Sequence, residues 1–91
     1  MSKASKWVVI INLKSGKKHF RVQMNYLLKK LDDAGIPYQH RITEFAGHAI
    51  LIARNYAQQG FLNFLVIGGD GTMSEVINGI FSTGIQEKNQ L

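Results

Sequence analysis

Apolar positions along the chain switch between unbroken runs and a helical period, and that alternation sets the expected elements. Trp7-Val8-Val9-Ile10-Ile11 is a continuous run of β-favouring residues, which is how a strand reads when a parallel sheet buries both of its faces. A polar loop from Asn12 to Lys18 follows, after which Phe20, Met24, Leu27, Leu28 and Leu31 recur at helical spacing. Gly35 and Pro37 stop this first helix, although Asp32 and Asp33 at its C-terminus oppose the helix dipole. Tyr38 to Thr43 alternates Tyr38, His40 and Ile42 with Gln39, Arg41 and Thr43, the pattern of a half-exposed strand near a sheet edge. Beyond a junction at Glu44 to Gly47, a second helix carries its stripe on Ala49, Ile50, Ala53, Tyr56 and Ala57 and ends at Gly60. Leu62 to Ile67 is a third, nearly all-apolar strand that runs straight into Gly68-Gly69-Asp70-Gly71-Thr72. A third helix follows at once, with Met73, Val76, Ile77, Ile80 and Phe81 as its buried stripe and Thr72 and Glu75 at capping-box spacing.

Strand and helix alternating three times predict an α/β fold, a three-layer unit with a mostly parallel sheet, β-α-β-α-β-α order and right-handed crossovers. Such a unit is an incomplete doubly wound sheet. Three strands are fewer than the usual five or six or so, so one flank should carry unpaired backbone or exposed apolar surface. Either the chain pairs with a copy of itself, a homodimer through that edge or surface, or the later strands of a longer polypeptide complete the sheet. With 91 residues, 45% hydrophobic and 19% charged, residues 1–91 form one folded domain with its core in 6–81 and a frayed polar tail over 82–91.

Composition removes several classes of function. There is no cysteine, so disulfide scaffolds, zinc knuckles and thiol nucleophiles are excluded, and a cytoplasmic location is the natural one. No apolar stretch approaches the roughly 20 residues that cross a bilayer, and no signal-peptide core follows the polar start, so a soluble chain is expected. Charge is uneven: Lys3, Lys6, Lys14, Lys17, Lys18, Arg21, Lys29 and Lys30 precede residue 32 with no acid among them. The remainder sets Arg41, Arg54 and Lys88 against six acids. A basic face of this kind attracts phosphate or an anionic membrane surface. Nucleic acid is not the expected partner, because Phe20 is the only aromatic near the Lys17-Lys18 cluster and stacking platforms need more.

In a doubly wound sheet, ligands bind beyond the carboxyl ends of the strands, which selects the three loops after the three strands. Gly68, Gly69 and Gly71 leave the backbone free for positive φ and clear side chains from the path of a large anion, while the positive end of the third helix points into the same space. A phosphate is expected there. Asp70 inside that loop would be repelled by phosphates unless it works through a cation, so it reads as a Mg²⁺ partner or as a base facing an acceptor hydroxyl. A plain tight turn between strand and helix is the alternative for the same glycines. The Walker and Rossmann glycine patterns are both missing. His19, His40 and His48 have no acidic partners at ligand spacing, and Ser15 has no motif-placed histidine and acid to activate it, so neither a metal centre nor a serine nucleophile is expected.

Gly68-Gly69-Asp70-Gly71-Thr72-Met73-Ser74-Glu75-Val76-Ile77-Asn78-Gly79 closely resembles the GGDGTxxEVxNG signature of the diacylglycerol kinase catalytic domain, shared by bacterial lipid kinases, ceramide kinases and sphingosine kinases. Asn12-Leu13-Lys14-Ser15-Gly16 is similar to the family's Asn-Pro-x-Ser-Gly loop, and Thr43 with Gly47-His48-Ala49 to its Thr-x-x-x-Gly-His-Ala segment. The resemblance implies transfer of the γ-phosphoryl group of ATP to a lipid hydroxyl, with Mg²⁺, at the inner face of a membrane. By that carry-over Asn12, Lys14, Ser15 and Gly16 would line the nucleotide, Thr43 would touch it, and Gly68, Gly69, Asp70, Gly71, Thr72, Ser74 and Glu75 would hold the phosphates. Asp70 would be the metal-linked or catalytic carboxylate. Leu13 departs from the family's proline, which should loosen that turn. The resemblance also implies a continuation, a Gly-Thr-x-Asn-Asp segment and a β-rich C-terminal domain with lipid-binding surface, so the 91 residues are expected to be the nucleotide-binding front of a lipid kinase. Two alternatives remain: another GGDGT-type kinase acting on NAD or a sugar phosphate, and a non-catalytic module that binds nucleotide or an anionic surface.

Overall fold

A computed structural model describes residues 6–13 and 18–82, with the backbone alone for 18–20. Its elements are β1 (Trp7–Ile11), α1 (Lys18–Asp33), β2 (Tyr38–Ile42), α2 (His48–Gln58), β3 (Asn63–Ile67) and α3 (Asp70–Phe81). All pairings are parallel and the strand order is β2-β1-β3. The α/β alternation expected from the apolar pattern is therefore the fold.

β1 is the central strand, and Val8, Val9, Ile10 and Ile11 are fully buried. Side chains alternate across a strand: Val8 and Ile10 join Ala49, Ile52, Ala53 and Tyr56 of α2 and Val76 of α3. Val9 and Ile11 face Met24 of α1 and, beside it, Leu27, Leu28 and Leu31. The layers are thus α1, the sheet, and α2 with α3. Leu13, in the place of the family's proline, packs against the α1 cluster.

Two readings of the helical stripes need correction. On α2 the buried isoleucine is Ile52 rather than Ile50, because this helix is covered by the sheet on one side and by α3 on another. On α3 the buried face runs through Thr72, Val76 and Gly79, whereas Met73, Ile77 and Phe81 are exposed. The reason is the sheet edge: α3 flanks β3, whose far side meets no further strand among the described residues. Leu62, also exposed, extends the same apolar flank.

Gly79 explains how α2 and α3 come so close. A Cβ there would fall inside contact distance of the Ile50 carbonyl oxygen and 3.0 Å from the Ala53 Cβ. The two aspartates at the end of α1 also acquire reasons. Asp33 pairs with Lys29 at 3.5 Å one turn back. Partial burial, then the Asp32 carboxylate beside it, push the Tyr38 phenol above its ordinary range.

Candidate functional site

Register decides which loops meet. Ile11 is level with Ile42 on one side and Ile67 on the other, so the next residues, Asn12, Thr43 and Gly68, stand in a row at the carboxyl edge of the sheet. Backbone bonds continue the ladder into them: Thr43 N–H donates to the Ile11 carbonyl at 2.8 Å and Asn12 N–H to the Ile67 carbonyl at 2.8 Å. Parallel neighbours are about 4.8 Å apart, so the leading residues of three separate sequence motifs are brought together. The chain leaves β1 toward β2 through α1 on one face, whereas β3 lies on the other side of β1. The strand order therefore switches between β1 and β3, the place where open α/β sheets form a ligand crevice.

One side of the crevice is the start of α3. The helix begins at Asp70 with Gly69 as its N-cap and no side-chain capping bond, which corrects the capping-box expectation. Thr72 is the third helical residue, 4% exposed, and its Oγ1 accepts a hydrogen bond from Asn12 Nδ2 at 3.1 Å. The helix starts three residues earlier than a cap at Thr72 would set it, directly after Gly68 with φ 157, and Thr72 faces inward. A Cβ on Gly68 would lie 2.8 Å from Thr72 Oγ1 and 3.3 Å from the Asn12 Cβ. This glycine is required by close approach.

Gly69 and Gly71 differ. Neither uses the freedom for positive φ that glycine offers, and a Cβ on either would meet nothing within 4 Å among the described residues. Folding gives no reason for glycine at 69 or 71. In the same turn the N–H groups of Thr72 and Met73 donate to the Gly69 carbonyl, whereas those of Gly69, Asp70 and Gly71 reach no acceptor among the described residues. The result is a turn of backbone donors, without acceptors among the described residues, at the positive end of a helix dipole. Asp70 is exposed beside it.

The structure thus gathers Asn12, Thr43, Gly68, Gly69, Asp70, Gly71 and Thr72 at one edge. Ser74 is exposed and Glu75 half-buried one turn further along α3. Lys14, Ser15 and Gly16 lie outside the described residues, as do neighbouring Lys17 and the tail from 83 onward. Among the described residues no three His, Asp or Glu side chains cluster as a metal centre, and no helix is long and apolar enough to cross a membrane. The Asn12–Thr72 bridge is what sequence reasoning missed. In the sequence Thr72 reads as a helix cap, which hides its pairing with Asn12.

The family model described as the diacylglycerol kinase catalytic domain matches residues 6–90. Among curated proteins, the diacylglycerol kinases of Staphylococcus carnosus (strain TM300) and Bacillus subtilis (strain 168) are 36% and 35% identical to the chain over 72 residues, covering 79% of it and 24% of each relative. That of Staphylococcus aureus (strain MRSA252) is 38% identical over 72 residues, with 79% of this chain and 23% of the relative covered. The chain therefore spans about a quarter of the length of these relatives. With the three loops level at one sheet edge and the match running almost end to end, the chain belongs to the diacylglycerol kinase catalytic domain family.

Proposed function

We propose that the crevice between β1 and β3 binds the phosphates of Mg-ATP, and that the chain is the nucleotide-binding part of a lipid kinase. The observation that carries this is the pair Gly69 and Gly71: glycines that neither dihedral nor packing requires among the described residues, beside backbone N–H groups that reach no acceptor among them. Phosphate oxygens are the ligands such donors suit. Asn12 and Thr72, fixed by their mutual hydrogen bond, hold the β1 loop against the start of α3, and Thr43 extends the row toward the rest of the nucleotide. Lys14, Ser15 and Gly16 would close the site from the β1 loop, as the family resemblance implies, with Ser74 and Glu75 beyond the first turn of α3.

Asp70 suits Mg²⁺. This ion is commonly held by one or two carboxylates together with substrate phosphates and water, and Asp70 is one exposed carboxylate beside the donor turn. When bound, the ion would neutralise phosphate charge as the γ-phosphoryl group moves to a lipid hydroxyl. The names of the relatives support diacylglycerol as the class of acceptor. The exposed flank of Leu62, Met73, Ile77 and Phe81 beside β3 is where we place the remaining strands and the lipid-binding part of the enzyme, working at a membrane surface.

Calorimetric titration tests the reading through Asp70→Ala. The change should weaken Mg-ATP binding about 10- to 100-fold, yet leave ATP in excess chelator as well bound or better, because a carboxylate repelling phosphate has gone. Equal losses with and without Mg²⁺ would show that Asp70 acts on the loop and not through the ion. No heat for the unsubstituted chain would remove the proposal altogether.

A further inference from the structure

The side of the molecule away from β3 carries a groove that the phosphate crevice does not use. Parallel register sets Gln39 and Arg41 level with Val8 and Ile10, on the α2 face of the sheet. α2 packs against α3 and β1, so the edge strand β2 is left partly uncovered on that face. The groove that results, of about 310 Å³, is lined by Arg41, Phe45, His48, Leu51, Ile52 and Asn55. Ligand pockets start at about this size, roughly 300 Å³.

Its lining is divided by chemistry. Ile52 is buried, and Phe45 and Leu51 are about half exposed, at 52% and 49%, so one wall is apolar and wettable only at a cost. The other elements donate. Arg41 forms no ion pair among the described residues. The His48 ring stacks on Phe45 at 4.2 Å and 14°, and its Nδ1 accepts the Glu44 N–H at 2.9 Å. A neutral His48 must then carry its proton on Nε2, as a donor. A guanidinium, an imidazole N–H and the Asn55 amide beside an apolar wall suit a ligand with a negative head and a greasy body.

We propose that this groove is a binding site for a small amphipathic anion, a carboxylate or phosphomonoester on a short apolar body, with its head at Arg41 and its body against Phe45, Leu51 and Ile52. The phosphate crevice lies between β1 and β3, whereas the groove flanks β2, the other neighbour of β1, with Thr43 between the two; the proposal does not rest on nucleotide binding. Arg41, without an ion pair among the described residues, on a chain of net charge +5, also speaks against a second copy as the occupant.

Amide-resolved NMR titration of the whole chain with octanoate, octyl phosphate, octanol, acetate and adenosine tests this. Octanoate and octyl phosphate should shift the amides of Phe45, His48, Leu51 and Asn55, and the tighter of the two identifies the preferred head. Octanol, without the charge, should bind about tenfold more weakly, and acetate, without the chain, should not saturate. Arg41→Gln should weaken octanoate about tenfold. Leu51→Asp, at a half-exposed position that folding tolerates, should abolish octanoate binding with the spectrum otherwise retained. Octanol binding as well as octanoate, or an Arg41→Gln variant that binds normally, would overturn the proposal. So would adenosine shifting the same amides, which would give the groove to the nucleotide base, or shifts that follow protein concentration, which would give it to a second copy.

Discussion

Gly79→Ala should cost about 3 kcal/mol or more in a urea titration followed by circular dichroism, a large part of the roughly 5–10 kcal/mol that holds a domain of this size together. The added methyl lands on the Ile50 carbonyl and 3.0 Å from the Ala53 Cβ, and backbone oxygen on a neighbouring helix cannot rotate aside as a flexible side chain can. Relief requires α2 and α3 to separate, which opens the cluster of Ile52, Ala53, Tyr56 and Val76. Helix propensity acts in the opposite direction, since alanine is better than glycine by about 1 kcal/mol in a helix interior. Gly71→Ala isolates that term. It is the same chemical change in the same helix, with nothing within 4 Å of the new methyl, and it should leave the midpoint unchanged or raise it slightly. Equal midpoints for the two variants would mean that α2 and α3 do not meet through Gly79.

Gly68→Ala and Gly69→Ala should part company in the same way at the site. At 68 a methyl meets Thr72 Oγ1 at 2.8 Å, in a backbone conformation with φ 157 that side-chain-bearing residues rarely adopt. It strikes the Asn12–Thr72 bond directly. We expect a loss of about 2 kcal/mol of stability and of nucleotide binding with it, because Asn12 and the start of α3 no longer hold their spacing. At 69 the methyl points into open space. Stability should be unaltered while Mg-ATP affinity falls about tenfold or more, since the phosphates need the volume that the methyl occupies. Unchanged affinity in a stably folded Gly69→Ala variant would show that this glycine serves neither fold nor ligand, and the phosphate cradle would be lost.

The sheet was legible because burial on both faces leaves nothing polar in a strand: Trp7 to Ile11 could be little else. The edge position of β2 agrees with the sequence reading, but the alternation does not mark a buried face: His40 and Ile42 are exposed along with Gln39 and Arg41. Helix faces were harder to read. A stripe assumes one buried side, whereas α2 is covered on two and α3 lies at a flank, so the pattern misses Ile52 and places Met73, Ile77 and Phe81 inward. Gly79 did leave a signal, a glycine in mid-helix where only close packing repays its cost. The level row of Asn12, Thr43 and Gly68 depends on strand register, and register is set by how the strands pair rather than by any one motif. Thr72 shows the limit of spacing rules: a Thr-x-x-Glu pattern fits a cap, but Gly68 starts the helix before it. The groove beside β2 had no sequence signature at all, because it arises from where α2 fails to cover an edge strand.

The most direct measurement is the amide-shift map of the isotope-labelled chain during titration with Mg-ATP. Saturable movement of Asn12, Thr43 and Gly68 to Thr72, with Arg41 of β2 and Asn55 of α2 left in place, is the predicted result. Saturable movement elsewhere with those amides unmoved, or no saturable movement anywhere, would contradict the assignment of the crevice to nucleotide phosphates.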